Sequence, residues 1–277
     1  MDSALYVVAT PIGNLGDMVP RALEVLQSVD LIAAEDTRHS GVLMRHFGIE
    51  TPLLAYHDHS DAKALSRIAG CLEAGGAVAL ISDAGTPLIS DPGYRLLRHA
   101  HDVGWKVVPV PGASALVAAL SVSGLATDRF LFEGFLPAKS AARRRRLQAL
   151  ARESATLVFY EAPHRVLECL QDMRACLGEL RLAVLARELT KTFETVRRLP
   201  LAELVDWVAD DPNQSRGEIV LLVEGCDEEG PGLTVEMQRL LHLLSAEMPP
   251  ARAAAIVAEM SGLPKKLLYQ RLLDESD

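Results

Sequence analysis

Between Ser82 and Gly93 the chain reads Ser-Asp-Ala-Gly-Thr-Pro-Leu-Ile-Ser-Asp-Pro-Gly, which crowds two aspartates, three hydroxyls and two glycines onto one broken segment. Such a loop offers free amides and carboxylate acceptors to a small polar ligand. The preceding run, Val78 to Ile81, is short and wholly apolar, as suits a strand buried on both faces. Gly85 and Gly93 supply backbone freedom, and Pro87 removes an amide donor. Asp91 is placed to cap a helix, with Pro92 at its first position, Tyr94-Arg95-Leu96-Leu97 following and Gly104 closing it. A plain turn into a capped helix accounts for Asp91-Pro92 but not for the long excursion from Asp83 to Ser90.

Comparable loops follow other apolar runs. Leu5 to Ala9 ends in Thr10-Pro11-Ile12-Gly13-Asn14, Leu31 to Ala34 in Glu35-Asp36-Thr37-Arg38, and Lys106 to Val110 in Pro111-Gly112-Ala113-Ser114. Helices are expected from Pro20, through Leu43, from Ser60 to Glu73, after Pro92 and after Ser114. The alternation predicts an open, mostly parallel sheet with four polar or glycine-rich loops on the rim where ligands bind. No Gly-x-Gly-x-x-Gly follows the first strand, which disfavours an ordinary dinucleotide site.

Near Gly124 the rhythm changes. Phe130 to Phe132, Leu157 to Tyr160, Leu182 to Ala186 and Ile219 to Val223 read as strands of a second α/β domain, with Pro163 opening a helix that runs to Cys176. Polar residues again gather at the strand ends, among them Glu133, Glu161, His164, Arg165, Glu188, Lys191 and Glu218. The division expected is 1–123 for the first domain, 124–225 for the second, an acidic linker over 226–232, and a helical appendage over 233–277. In that appendage Ala251 to Met260 and Lys265 to Leu273 flank Ser-Gly-Leu-Pro at helix-turn-helix spacing. Any tight helical hairpin gives the same spacing, so Lys265 and Lys266 are candidates either for RNA contact or for a packing role.

The chain has 277 residues, 49% of them hydrophobic, and a formal net charge of -9. That suits a folded protein and excludes a uniformly basic coat for long nucleic acids. No apolar run reaches the roughly 20 residues of a membrane helix, and Met1-Asp2-Ser3-Ala4 lacks the basic region of a signal peptide, so a cytoplasmic location is expected. Cys71, Cys169, Cys176 and Cys226 show neither metal spacing nor pairing, and His57-Asp58-His59 lacks a third ligand, so no metal is expected. The one concentrated basic feature is Arg143-Arg144-Arg145-Arg146 within an acid-free stretch from Lys139 to Arg152. On a helix these four point all round the axis; they can hold phosphates or form a solvated face.

Taken in order, Ala9 to Asp17, Ala34 to Arg38, the loop from Ser82 to Gly93, Pro111 to Ala115, Glu133 to Pro137, Tyr160 to Arg165 and Arg187 to Lys191 resemble the ribosomal RNA small subunit methyltransferase I family, over essentially residues 4 to 225. The resemblance implies a two-domain tetrapyrrole-methylase-like α/β fold whose lobes hold S-adenosyl-L-methionine in a cleft. It also implies methylation of the ribose 2′-hydroxyl of a cytidine in the decoding region of 16S rRNA, within the 30S subunit and by a homodimer. Carried onto this chain, it places Ile12, Asp83, Ala84, Gly85, Thr86, Ser114 and Ala115 in the methyl-donor pocket, with Tyr160 and Gly217 closing it.

For proton removal the candidates are Glu35, Asp36, Glu133, Glu188 and Lys191, the last considered as a lysine of lowered pKa, with Lys191 or Arg38 steering phosphate. Each also reads as a strand-end ion pair, Asp36 with Arg38 and Glu188 with Lys191. Two other functions fit the same chain. One is methylation of a tetrapyrrole carbon, which leaves the arginine run and the appendage without a purpose. The other is a non-catalytic RNA-binding assembly factor.

Overall fold

The structure is a computed structural model that describes residues 1–57, 62–226 and 235–274. The chain forms two compact units, Met1–Gly225 and Cys226–Asp277.

The larger unit contains two five-stranded sheets. In the first, β1 (Leu5–Val8), β2 (Leu31–Ala34), β3 (Leu53–Ala55), β4 (Val78–Ile81) and β5 (Val107–Val110) are all parallel, in the order β3-β2-β4-β1-β5. Their side chains alternate between two cores. Tyr6, Val8, Ile32 and Ile81 pack with α1 (Pro20–Ser28) and α2 (Thr37–His46), whereas Leu5, Ala33 and Leu80 pack with α3 (Ala62–Glu73) and α4 (Tyr94–Asp102). Burial on both faces is why β2 and β4 are unbroken apolar runs.

One strand goes unforeseen in the sequence and one expectation needs correcting. The three-residue edge strand β3 is too short to leave a periodic signal. Helix α4 begins at Tyr94 with Gly93 at its N-cap, φ 130°, so Asp91 and Pro92 lie outside the helix. A Cβ at Gly93 would come 3.0 Å from Leu80, so the chain turns tightly against β4 at that glycine. The expected start of α3 at Ser60 lies outside the described residues.

The second sheet has β6 (Phe130–Phe135), β7 (Thr156–Glu161), β8 (Leu182–Arg187), β9 (Thr195–Pro200) and β10 (Ile219–Val223) in the order β6-β7-β10-β8-β9. Only β6 and β7 run parallel; the other pairs are antiparallel. Strand β9, Thr-Val-Arg-Arg-Leu-Pro, is an edge strand whose two exposed arginines hide it from a hydrophobic reading. One face of this sheet packs on α6 (Ser140–Leu150), α7 (Val166–Leu177) and α8 (Leu201–Asp210). A short 3-10 turn, Pro163–Arg165, leads into α7. The opposite face, through Val158, Val184, Val220 and Leu222, receives Leu116, Ala119 and Leu120 of α5 (Ala115–Ser123) together with Ile12. Helix α5 is apolar nearly all round, but only the side toward the second sheet is buried; Val117 and Val122 on the other side are exposed.

In the smaller unit α9 (Val235–Glu247), α10 (Pro250–Ser261) and α11 (Lys265–Asp274) close over Leu241, Ala253, Val257, Leu263 and Leu268. Gly262, left-handed at φ 71°, caps α10 and opens the turn to α11. Apart from Cys226, the expected linker lies outside the described residues. Among the described residues no helix is long and apolar enough to cross a membrane, and no cluster of His, Cys, Asp and Glu is placed to hold a metal.

Candidate functional site

The rim loops of the first sheet are fastened to one another. Thr10 and Gly85 exchange backbone hydrogen bonds of 2.9 and 3.0 Å. Thr86 Oγ1 donates to the Ala113 carbonyl at 3.0 Å, and Asp83 Oδ1 accepts the backbone N–H of Asp36 at 3.1 Å. The excursion from Asp83 to Ser90 therefore joins the ends of β1, β2 and β5. Leu88 and Ser90 are left-handed, φ 74° and 66°, and Glu188 and Thr190 across the cleft are likewise, φ 50° and 68°. Such residues are uncommon outside glycine and recur where surrounding structure fixes a functional loop.

Two adjoining cavities open between these loops and the second sheet. The first, about 290 Å³, is lined by Ile12, Gly13, Asp83, Ala84, Lys191 and Glu218 among others. The second, about 240 Å³, shares Ile12, Ala84 and Glu218 and adds Thr86, Asp91, Ser114, Ala115 and Tyr160. Tyr160 bridges the lobes: its hydroxyl accepts the Leu116 N–H, while its ring meets Phe132 edge-on at 4.9 Å. Gly13 is required because a Cβ there would overlap the stem of Lys191 reaching across from the second lobe.

The structure thus gathers Ile12, Asp83, Ala84, Thr86, Ser114, Ala115 and Tyr160 around one cleft, with Gly85 buried beneath it. Gly217 is elsewhere: it lines a separate cavity beside Glu188, while its neighbour Glu218 faces the cleft. The left-handed turn at Gly217, φ 78°, makes room for the Glu188 carboxylate.

Most proton-transfer candidates are committed to partners. Asp36 caps α2, accepts the Arg38 N–H at 2.8 Å and pairs with the Arg38 guanidinium at 2.8 Å, which holds its carboxyl far below the usual range. Arg38 is thereby partnered, although its side chain is 90% exposed. Glu133 is gripped by Arg146, Nε to Oε2 at 2.6 Å and Nη2 to Oε1 at 2.5 Å. Burial pushes the Glu188 carboxyl upward, but the Glu218 amide and Lys191, each at 2.9 Å, outweigh it and hold the group below its usual value. Lys191 is not a lysine of lowered pKa: burial opposes its charge, and Glu188 and Glu218 more than restore it.

Glu35 differs. Burial foremost, then the Asp83 charge, raise its carboxyl, and it forms no ion pair among the described residues. The residue sequence reasoning missed is Asp91, which burial pushes to about 6 despite a hydrogen bond from Ser82, with Glu35 and Asp83 adding to the rise. Its signal was its position, at the far end of an excursion already too long for a simple turn; the adjacent proline made it read as a cap.

The arginine run divides in two. Arg143 is only 1% exposed and pairs with Asp172 at 2.7 Å, and Arg146 is held by Glu133, so neither is placed to meet a phosphate. Burial beneath α7 decides the first, because a desolvated guanidinium needs a carboxylate. Arg144 and Arg145 are exposed, with Asp172 4.0 Å from Arg144. In the smaller unit Lys265 and Lys266 are exposed on the first turn of α11.

A parallel α/β lobe locked at its rim to a mixed α/β lobe around an acidic, partly apolar cleft defines the tetrapyrrole-methylase class of methyltransferases. The family described as Tetrapyrrole (Corrin/Porphyrin) Methylases matches residues 4–205, and the RsmI C-terminal HTH domain matches residues 231–276. Solved structures share the fold. The cobalt precorrin-4 methyltransferase CbiF superposes with a TM-score of 0.60 at 16% identity, covering 80% of this chain and 95% of that one. Uroporphyrin-III C-methyltransferase from Thermus thermophilus, complexed with S-adenyl homocysteine, gives 0.55 at 16% identity, covering 80% and 97%. A curated relative is far more similar: Ribosomal RNA small subunit methyltransferase I of Pseudomonas aeruginosa is 61% identical over 97% of this chain and 96% of its own length. The chain belongs to the ribosomal RNA small subunit methyltransferase I family.

Proposed function

We propose that this protein transfers a methyl group from S-adenosyl-L-methionine to the ribose 2′-hydroxyl of a cytidine in the decoding region of 16S rRNA, acting as a cytoplasmic homodimer on the 30S subunit. The observation that carries the reading is the 61% identity, along nearly the whole chain, with a relative named for small-subunit rRNA methylation. Fold likeness to the corrin and porphyrin enzymes, at 16% identity, speaks to architecture alone. The match to the RsmI C-terminal domain favours the RNA acceptor further.

The cleft's chemistry suits the donor. An adenosine asks for small and apolar neighbours, here Ile12, Ala84 and Ala115, and a sulfonium and an ammonium ask for carboxylates, here Asp83 and Asp91. When bound, S-adenosyl-L-methionine supplies the activated methyl group. The protein's own part is then to orient the ribose hydroxyl, exclude water and take up one proton. Orientation contributes roughly 7–11 kcal/mol and a general base about 10²- to 10⁴-fold in rate, so the interlocked loops matter more than any one base. Asp91, which lines the cleft, is the proton acceptor best placed; among the described residues Glu35 stands outside an ion pair but lines neither of the two cavities. The exposed Arg144 and Arg145 supply positive charge toward phosphate, whereas Lys191 is paired with Glu188 at 2.9 Å and Glu218 at 3.0 Å.

Incubation with methyl-labelled donor tests this against its alternatives. Label should enter 16S rRNA of 30S subunits and not uroporphyrinogen; label in the tetrapyrrole with inert 30S would reverse the assignment, and RNA binding with no transfer would make the protein an assembly factor.

A further inference from the structure

Beside the cleft lies a cavity of about 480 Å³, lined by Arg187, Phe193, Asn213, Gln214, Arg216 and Gly217 among others. Its walls hold polar atoms that the fold does not use. Arg187 is 7% exposed; its Nη2 donates to the Phe193 carbonyl and to Thr195 Oγ1, each at 3.1 Å, yet its Nε has no partner among the described residues. Gln214 is 8% exposed and gives its Nε2 to Asp211 at 2.7 Å, but its Oε1 accepts nothing there. Both atoms are shielded where they stand, so a ligand with complementary groups reaches them through a small shift of the Arg187 and Gln214 side chains, which the unmade hydrogen bonds favour.

Phe193 supplies the other half of a recognition site. It is 71% exposed, on a loop that is firmly built: Thr190 N–H bonds to Glu194 Oε2 at 2.6 Å, Leu189 is in the core, and Arg187 holds the Phe193 carbonyl. A large aromatic ring displayed on a rigid loop, beside an exposed Arg216, is the combination that stacks an unpaired base and meets its phosphate. The cavity adjoins the cleft across one wall, where Glu188, which lines it, bonds at 2.9 Å to Lys191, which lines the cleft.

We infer that this cavity is a nucleotide subsite that takes an unpaired base of the RNA strand next to the methylated residue, stacked on Phe193 and hydrogen-bonded by Gln214 and Arg187. The inference rests on the RNA-acceptor reading above and names part of how that substrate is held. Free mononucleotides share the chemistry of such a base, so the test distinguishes them.

Methyl transfer to 30S subunits lacking the modification is measured for wild type, Phe193→Ala, Phe193→Trp and Gln214→Leu, alongside donor affinity by calorimetry. Phe193→Ala should raise KM for 30S by about 5- to 150-fold, the range of one base–aromatic stack, with kcat and donor affinity little changed. Phe193→Trp should restore KM, and Gln214→Leu should raise it. An unaltered KM in both Phe193→Ala and Gln214→Leu, with active wild type, would overturn the subsite and leave the methyltransferase reading standing. A wild type inert on 30S would sink both. Equilibrium dialysis with CMP, AMP, GMP and UMP supplies the last arm: mononucleotide binding lost in Phe193→Ala while KM for 30S stays the same would overturn the strand subsite in favour of a free-nucleotide site.

Discussion

The hydroxyl of Tyr160, at the end of β7 in the second lobe, accepts the backbone N–H of Leu116 in the first turn of α5 at 3.2 Å. That amide is one of those a helix leaves unpaired at its start, and Ser114 in the cap position does not satisfy it. One hydrogen bond therefore completes a helix terminus and joins the walls of the cleft. Tyr160→Phe keeps the edge-on contact with Phe132 but strands the buried amide, so stability should fall by about 1–3 kcal/mol in denaturant titration. Donor affinity should fall with it. Full stability in the phenylalanine variant would show that water or another group already serves that amide.

Asp83 holds the Asp36 N–H and lines the cleft. Asp83→Ala should abolish or strongly weaken S-adenosyl-L-methionine binding in calorimetry while the chain stays folded. Asp83→Asn keeps an acceptor for Asp36 and loses only the charge. Intermediate affinity in the asparagine variant separates loop-fastening from charge; normal affinity in both would remove Asp83 from the donor site.

What the sequence reveals and what it withholds follow from the range of the interactions. Buried parallel strands such as Val78–Ile81 announce themselves because both faces are apolar, and the loops at their ends stand out by glycine and proline. Strand β9 stays hidden because an edge strand exposes Arg197 and Arg198. Arg143 cannot be told from Arg145 by local pattern. Its burial is set by Asp172, 29 residues away, and Glu133 and Arg146 find each other from neighbouring elements. Asp91 reads as a cap because Asp-Pro before a helix usually is one; the turn forced by Gly93 moves the cap two residues on and turns the carboxylate toward the cleft.

Replacing all four arginines would confound folding with binding. Arg143→Ala removes the close partner of Asp172, leaving it the Ser140 hydroxyl and Arg144 at 4.0 Å, and should cost up to about 3–5 kcal/mol of stability. The informative variant is Arg144→Ser with Arg145→Ser, whose unfolding should match wild type. It should bind RNA more weakly, with a salt dependence shallower by about one to two phosphate contacts on a logarithmic plot. An identical salt slope would make α6 a solvated face and nothing more.

Asp91 and Glu35 link both stability and donor binding to pH. Burial foremost raises each carboxyl, Asp83 adds to both, and Asp91 reaches about 6. A raised carboxyl means that the folded chain holds its proton more tightly than the unfolded chain. Its stabilising contribution is complete below the ordinary value of 3.8 and is lost as pH climbs through about 6. Asp91→Asn removes that loss, so its Tm relative to wild type should rise from about pH 4 to about pH 7 and then level. A positively charged donor shifts the same equilibrium the other way, since a cation beside Asp91 favours the ionised form. Wild-type affinity should therefore increase over that interval, with proton release visible as a buffer-dependent binding enthalpy, and Asp91→Asn should flatten both. A pH-independent affinity in the wild type would place the donor's charge away from Asp91, leaving Asp83 as its partner.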